Sequence, residues 1–196
     1  MKVSLVDAQL LDGYLREVRQ QCWLALLGSL QLRDLLGLVE EIPPELAARE
    51  DLSRVWRLQC WQAVDTILSS GMVLSILLWP SARSQEVRVR GDQLRQALGV
   101  DEASPLKSRT VRHCIEHFDK RLDGWLVEHG GEEIDCDFVI TCDDDSVPNV
   151  PLVRRMDPRT WIVRLLGDEI DLRSLLQEVN RLKAVVITDD PPTPGA

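Results

Sequence analysis

The sequence predicts a mainly α-helical protein. It reads as a bundle of four or five helices over residues 1–131, a small strand-strand-helix appendage over 132–187 packed on that bundle, and a polar tail over 188–196. Three observations carry this reading. Apolar residues recur at alternating spacings of four and three through most of the first 128 positions, which lines them along one helix face. Just after Gly130-Gly131 the pattern changes to strict alternation, the signature of a half-buried strand. Aromatic residues are few, 6 Trp, 2 Phe and 1 Tyr in a chain that is 44% hydrophobic, so aliphatic packing builds the core and favours helix over strand.

Residues 7–41 read as one helix or two in tandem. Leu11, Leu15, Val18, Cys22 and Ala25 make its apolar stripe, Arg16 and Arg19 lie off it, and Pro43-Pro44 ends it. Residues 46–79 read as a second long helix. From Ile67 to Trp79 it is apolar on most sides, as a helix surrounded by others must be, which marks it as the central one. Ser69-Ser70-Gly71 is a candidate bend and Trp79-Pro80-Ser81 a stop. The apolar run from Met72 to Trp79, interrupted by Ser75, is too short to cross a bilayer. Over 85–98, Val87, Gly91, Leu94 and Leu98 share a face, and Gly91 marks a close helix crossing at some cost in propensity. Ser104-Pro105 is a helix start, Ser capping and Pro at the first position. That helix is expected to run to about Glu128 with Val111, Ile115, Phe118, Leu122 and Trp125 on its core stripe and His129 capping its end.

Ile134, Cys136, Phe138, Ile140 and Cys142 then alternate with other residues as one face of a strand. Residues 143–158 read as an acidic, proline-containing loop and 160–166 as a second strand, broken at Gly167-Asp168. Asp171 caps a last helix with Leu172, Leu175, Val179 and Leu182 on one face. The tail from Thr188 to Ala196 is polar, rich in proline and expected to be disordered.

The net charge is −9, from 32 acidic and 23 basic residues, so the surface as a whole repels a polyanion. The stretch from Arg83 to Arg121 is the exception: nine Lys/Arg against six Asp/Glu leave it at +3 and the remainder at −12, so a local anion site is allowed there. The five cysteines, Cys22, Cys60, Cys114, Cys136 and Cys142, are odd in number and form no C-x-x-C pair. They read as small buried hydrophobes of a reducing compartment. The first residues show no signal-peptide pattern, so a cytoplasmic location is expected.

One segment groups the residue types that catalysis favours: Arg109-Thr-Val-Arg112-His113-Cys-Ile-Glu116-His117-Phe-Asp119-Lys-Arg121. Histidine exchanges protons near neutral pH, and arginine holds a phosphate through two bonds at once. Together they supply what metal-independent cleavage of a phosphodiester needs: an imidazole to move the proton and a guanidinium to hold charge on phosphorus. The bland alternative is a solvated helix laced with Arg112–Glu116 and Glu116–Lys120 ion pairs. On one straight helix Arg112 and His117 diverge by about 140°. Both reach one phosphate only if two copies of the helix face each other across a two-fold axis.

Arg112-His113-x-x-x-His117 resembles the signature of the HEPN superfamily: Arg, a polar residue, three residues, then His, in a late helix of a four- or five-helix bundle. The stretch from Glu116 to Asp123, Trp79-Pro80-Ser81, Ser104-Pro105-Leu106 and the segment Gly167 to Leu172 are similar to those of uncharacterised bacterial HEPN-like proteins. The resemblance covers about residues 7–128 and leaves the appendage outside the minimal bundle. It implies a homodimer and a metal-independent endoribonuclease of toxin or phage-defence type, with RNA as substrate and an antitoxin or nucleotidyltransferase as partner. Arg112 and His117 are then catalytic and His113 positions them, with no cofactor, metal or membrane. The alternative is a non-catalytic HEPN-like module that binds a protein partner or a nucleotide.

Other features carry less. Asp143-Asp144-Asp145 lacks the Gly and distant Glu of a calcium loop. Cys136 and Cys142 are too far apart along a strand to share one zinc. Trp56, Trp61 and Trp79 read as core, and Gly167 as a turn residue.

Overall fold

The computed structural model describes residues 8–38, 50–81, 84–113, 117–130, 134–141 and 150–188. Pro43-Pro44, Cys114 to Glu116, Cys142, Asp143-Asp144-Asp145 and the tail beyond Thr188 lie outside the described residues. Within them the protein is mainly helical, with a four-stranded sheet and a C-terminal helix.

The two long apolar stripes become helices α1 (Ala8–Leu38) and α2 (Glu50–Leu78), packed antiparallel. Trp56 Nε1 donates to Leu35 O (2.9 Å) near one end of the contact. Further along, a Cβ on Gly28 would stand 2.8 Å from Ala63 O, so only glycine permits this approach. Val18, Cys22, Ala25 and Leu32 of α1 meet Cys60, Ala63, Val64 and Ile67 of α2 in a solvent-free core. Burial pushes the Cys22 and Cys60 thiols up to about 12, as suits inert core residues. By length and composition α2 matches a membrane span, with a mean hydropathy of 1.4 over 18 residues, yet half of that window is buried inside the fold. It touches α1, the later helices and the sheet, as the central helix must. It continues as helix through Ser69-Ser70-Gly71, the candidate bend, where small residues admit a neighbour: a Cβ on Gly71 would meet Leu175 Cδ2 at 3.1 Å.

Helix α3 (Gln85–Leu98) crosses the end of α2 at Gly91, where a Cβ would stand 2.6 Å from Pro80 Cδ. Gly99, at φ 59°, ends α3 in the left-handed conformation.

The expected single helix from Ser104 to Glu128 is three pieces: a 3₁₀ turn (Pro105–Lys107), α4 (Arg109–His113) and α5 (Phe118–Glu128). His117 has φ 67°, a conformation that cannot propagate a right-handed helix, and it serves as the N-cap residue of α5. Ser104 makes no side-chain cap; its hydroxyl donates to Glu178 Oε1 (3.0 Å). The core stripe survives the interruption, with Val111 and Trp125 buried and Phe118 and Leu122 packed against the core.

Four strands replace the two expected: β1 (Asp135–Ile140), β2 (Leu152–Asp157), β3 (Ile162–Leu165) and β4 (Asp168–Asp171), in the order β1-β2-β3-β4. β1 and β2 are parallel and the other pairs antiparallel. β2 falls in the stretch read as loop, and β4 where only a turn and a cap were read. A register shift between Asp135 and Phe138 leaves Cys136 exposed instead of buried. Leu166 (φ 50°) and Gly167 (φ 82°) form the two-residue hairpin turn between β3 and β4.

Helix α6 (Leu172–Thr188) starts as expected on Asp171, whose carboxylate accepts from Ser174 N (3.1 Å) and the Ser174 hydroxyl. It then lies along α1 and also meets α2 and α3. One continuous core therefore joins helices and sheet.

Candidate functional site

The predicted site residues are set around the end of α2 and the junction of α4 with α5. A helix that ends leaves its last carbonyls without backbone partners and a partial negative charge on them. Pro80 prevents α2 from continuing, so other groups must satisfy those oxygens. Three arginines do so. Arg112, in the last turn of α4, donates to Ser75 O (3.3 Å), Ser75 Oγ (3.4 Å), Ser81 Oγ (3.2 Å) and Trp79 O. Arg95 Nη1 donates to Leu78 O and Arg90 Nη2 to Leu77 O (3.4 Å). Arg112 is therefore a half-buried clamp on the central helix. Sequence reasoning missed Arg90 and Arg95 as its companions; the signal was a Trp-Pro-Ser stop facing an arginine-rich helix.

His113 and His117 stay together. Their rings are 6.0 Å apart between centroids and inclined by 24°, with His113 half-buried and His117 exposed. Arg121 Nη1 donates to His113 O (3.1 Å), while its Nη2 reaches Leu165 O (3.3 Å) and Asp168 Oδ2 (2.6 Å). A single side chain of α5 thus ties the end of α4 to the β3–β4 hairpin. Glu116, the residue of the predicted ion pairs, lies outside the described residues.

The buried face of the sheet carries a charge that the sequence reading did not single out. The Arg154 guanidinium stands 4.8 Å from the ring of Trp61 and 5.9 Å from that of Phe118. Burial pushes the nearby Asp65 carboxyl up, and the Arg154 charge partly opposes this. With Trp61 packed on Phe138 (centroids 5.2 Å), this group fastens α2 and α5 to β2. His129 stands at the end of α5, its Nδ1 2.9 Å from Trp125 O. Trp56, Trp61 and Trp79 pack against the core.

Among the described residues no three His, Cys, Asp or Glu side chains converge as a metal site. Surface cavities lie among these residues. One of about 250 Å³ lies on the sheet face away from α2, lined by Thr141, Arg155, Asp157, Thr160, Ile162, Arg164 and Glu169. It is remote in sequence from the predicted motif. No protein-family model, curated protein or solved structure matches the chain.

Proposed function

We propose that this protein is a non-catalytic HEPN-like module that works by holding a protein partner in a cytoplasmic, reducing compartment. One observation supports this reading above others: the Arg112 guanidinium is committed to the carbonyls of Ser75 and Trp79 and the hydroxyls of Ser75 and Ser81. To stabilise charge on a phosphate it would have to leave them, uncapping the central helix of the fold. The net charge of −9 also opposes RNA binding. The experiment is incubation of the purified full chain with a mixed-sequence RNA pool in chelator, beside Arg112→Ala and His117→Ala. The expected result is intact RNA in all three. Cleavage by the parent chain that disappears in both variants overturns the reading.

The endoribonuclease reading is kept as the second, because the His113 and His117 rings are paired at 6.0 Å. Two neighbouring imidazoles suit transfer of a proton from the ribose 2′-hydroxyl and to the leaving oxygen. It requires a homodimer that brings a guanidinium to the pair, and the same assay tests it through the appearance of cyclic phosphate ends.

A further inference from the structure

Helix α1 carries two stripes, and the fold uses one. Val18, Cys22, Ala25 and Leu32 are fully buried against the bundle. On the opposite side, positions 13, 16, 20, 23, 27, 30, 34 and 37 follow each other at spacings of three and four, and all are exposed. That is the heptad spacing of a helix-pairing seam. The centre of the seam is apolar: Trp23, Leu27 and Leu30 are 50%, 50% and 48% exposed. Lys183 of α6 holds the Trp23 ring from one side, with Nζ 4.6 Å from its centroid.

We infer that a second copy of this chain packs antiparallel on this seam. The argument is its self-complementarity about residue 25. In an antiparallel two-fold pair, positions whose numbers sum to 50 face each other. Trp23 then meets Leu27 of the partner subunit, and Leu30 covers the stem of the partner's Gln20. Arg16 meets the partner's Asp34, twice by symmetry. A parallel pair would instead set Arg16 on Arg16 and Asp34 on Asp34. Gly13 and Gly37 face each other at the two ends, where a Cβ would touch nothing within the protomer. Gly13, well inside α1, is unfavourable in an isolated helix, and a seam gives it a use, because it leaves no side chain to hold two backbones apart.

The contact is about 36 Å long at the rise of an α-helix. Arg16 already pairs with Asp12 (2.8 Å), but both side chains are largely exposed, so exchanging that partner is cheap. Arg19 and Arg33 fall on one flank and oppose their counterparts across the axis. With three half-exposed apolar residues at its centre, the seam forms a weak, reversible dimer. This inference rests on no functional reading of the chain.

Sedimentation velocity of the full chain over a concentration series tests it. The parent chain is expected to pass from monomer to dimer. Leu27→Glu is expected to stay monomeric with an unchanged melting temperature. Arg16→Glu is expected to weaken association by about tenfold through the lost and reversed pairs, and the double swap Arg16→Glu with Asp34→Arg to restore it. A parent chain that is monomeric up to its solubility limit overturns the inference. So does a dimer indifferent to Leu27→Glu, or a double swap that fails to recover.

Discussion

Arg112 and His117 are five residues apart in the chain and belong to two regions with opposite demands. Arg112 is locked into the end of the central helix, where four carbonyls and two hydroxyls converge on three arginines. His117 is an exposed left-handed residue at the start of α5, in ring contact with His113. The first region is a joint of the fold and the second an open surface. The difference teaches that neighbouring residues of one short segment can each be placed by separate local mechanics. Arg112 answers to the helix end it caps, and His117 to the turn that starts α5.

The largest expected effect tests that contrast directly. Arg112→Ala leaves the carbonyls of Ser75 and Trp79 without their charged donor and should lower stability by about 2–4 kcal/mol. For a chain of this size that is a fall of roughly 5–10 °C in melting temperature. His117→Ala, at an exposed site, should change stability by less than about 1 kcal/mol, and His113→Ala, at a half-buried one, by less than the arginine variant. Thermal denaturation of the three variants side by side reads the difference. Histidine variants that cost more than the arginine variant would break the comparison.

Much of the fold was legible in the sequence, and the limits have physical causes. The long helices were legible because α1, α2 and α6 each bury one continuous stripe. The cap at Asp171 and the crossing at Gly91 were legible because single residues announce them. β2 and β4 were not. β2 carries paired arginines, Arg154 and Arg155, whose charges mask its alternation, although Arg154 lies on the buried face between two aromatic rings. β4 has four residues and one buried side chain, Ile170, so no period can be read from it. The break at His117 was illegible for a different reason. The apolar stripe continues across it, so the core face looks like that of one helix, and nothing in the residue type at 117 demands a left-handed backbone. Several short segments turn out to be joints: Trp79-Pro80-Ser81 ends α2, Ser104 binds Glu178, and Gly167 to Leu172 makes a turn, a strand and a helix start.

A second joint sharpens the contrast at smaller scale. Glu178 accepts from Arg181 (2.8 Å) and from Ser104 (3.0 Å), while Arg181 also donates to Leu98 O (3.0 Å). The Arg181 guanidinium in particular holds the Glu178 carboxyl below the usual glutamate range of about 4.5. A carboxyl whose folded value is depressed adds stability above its unfolded value, and that stability is lost as pH falls through the folded one. Solvent at the Arg181 side screens the pair, so Glu178→Gln should cost about 0.5–1 kcal/mol at neutral pH. The cost should shrink as pH falls through the depressed folded value of Glu178. Urea titrations of both proteins at neutral and acid pH measure it, and a difference that persists in acid would remove Glu178 from the set of joints.

The smallest expected effect decides most about the candidate site. At φ 67°, His117 carries a left-handed cost of about 1–2 kcal/mol that glycine does not. Glycine gains unfolded-state freedom worth about 0.5–1 kcal/mol, so His117→Gly should be neutral or slightly stabilising. On an unbroken helix the same substitution would cost up to about 1 kcal/mol relative to other residues. The two outcomes differ in sign, and a urea titration resolves them. A destabilised variant would mean that α4 and α5 are one rod. Arg112 and His117 would then diverge around a common axis, and a second protomer would again be needed to bring a guanidinium to the histidines. A neutral or stabilised variant fixes the break, and with it the separation of the clamp at Arg112 from the open ring pair.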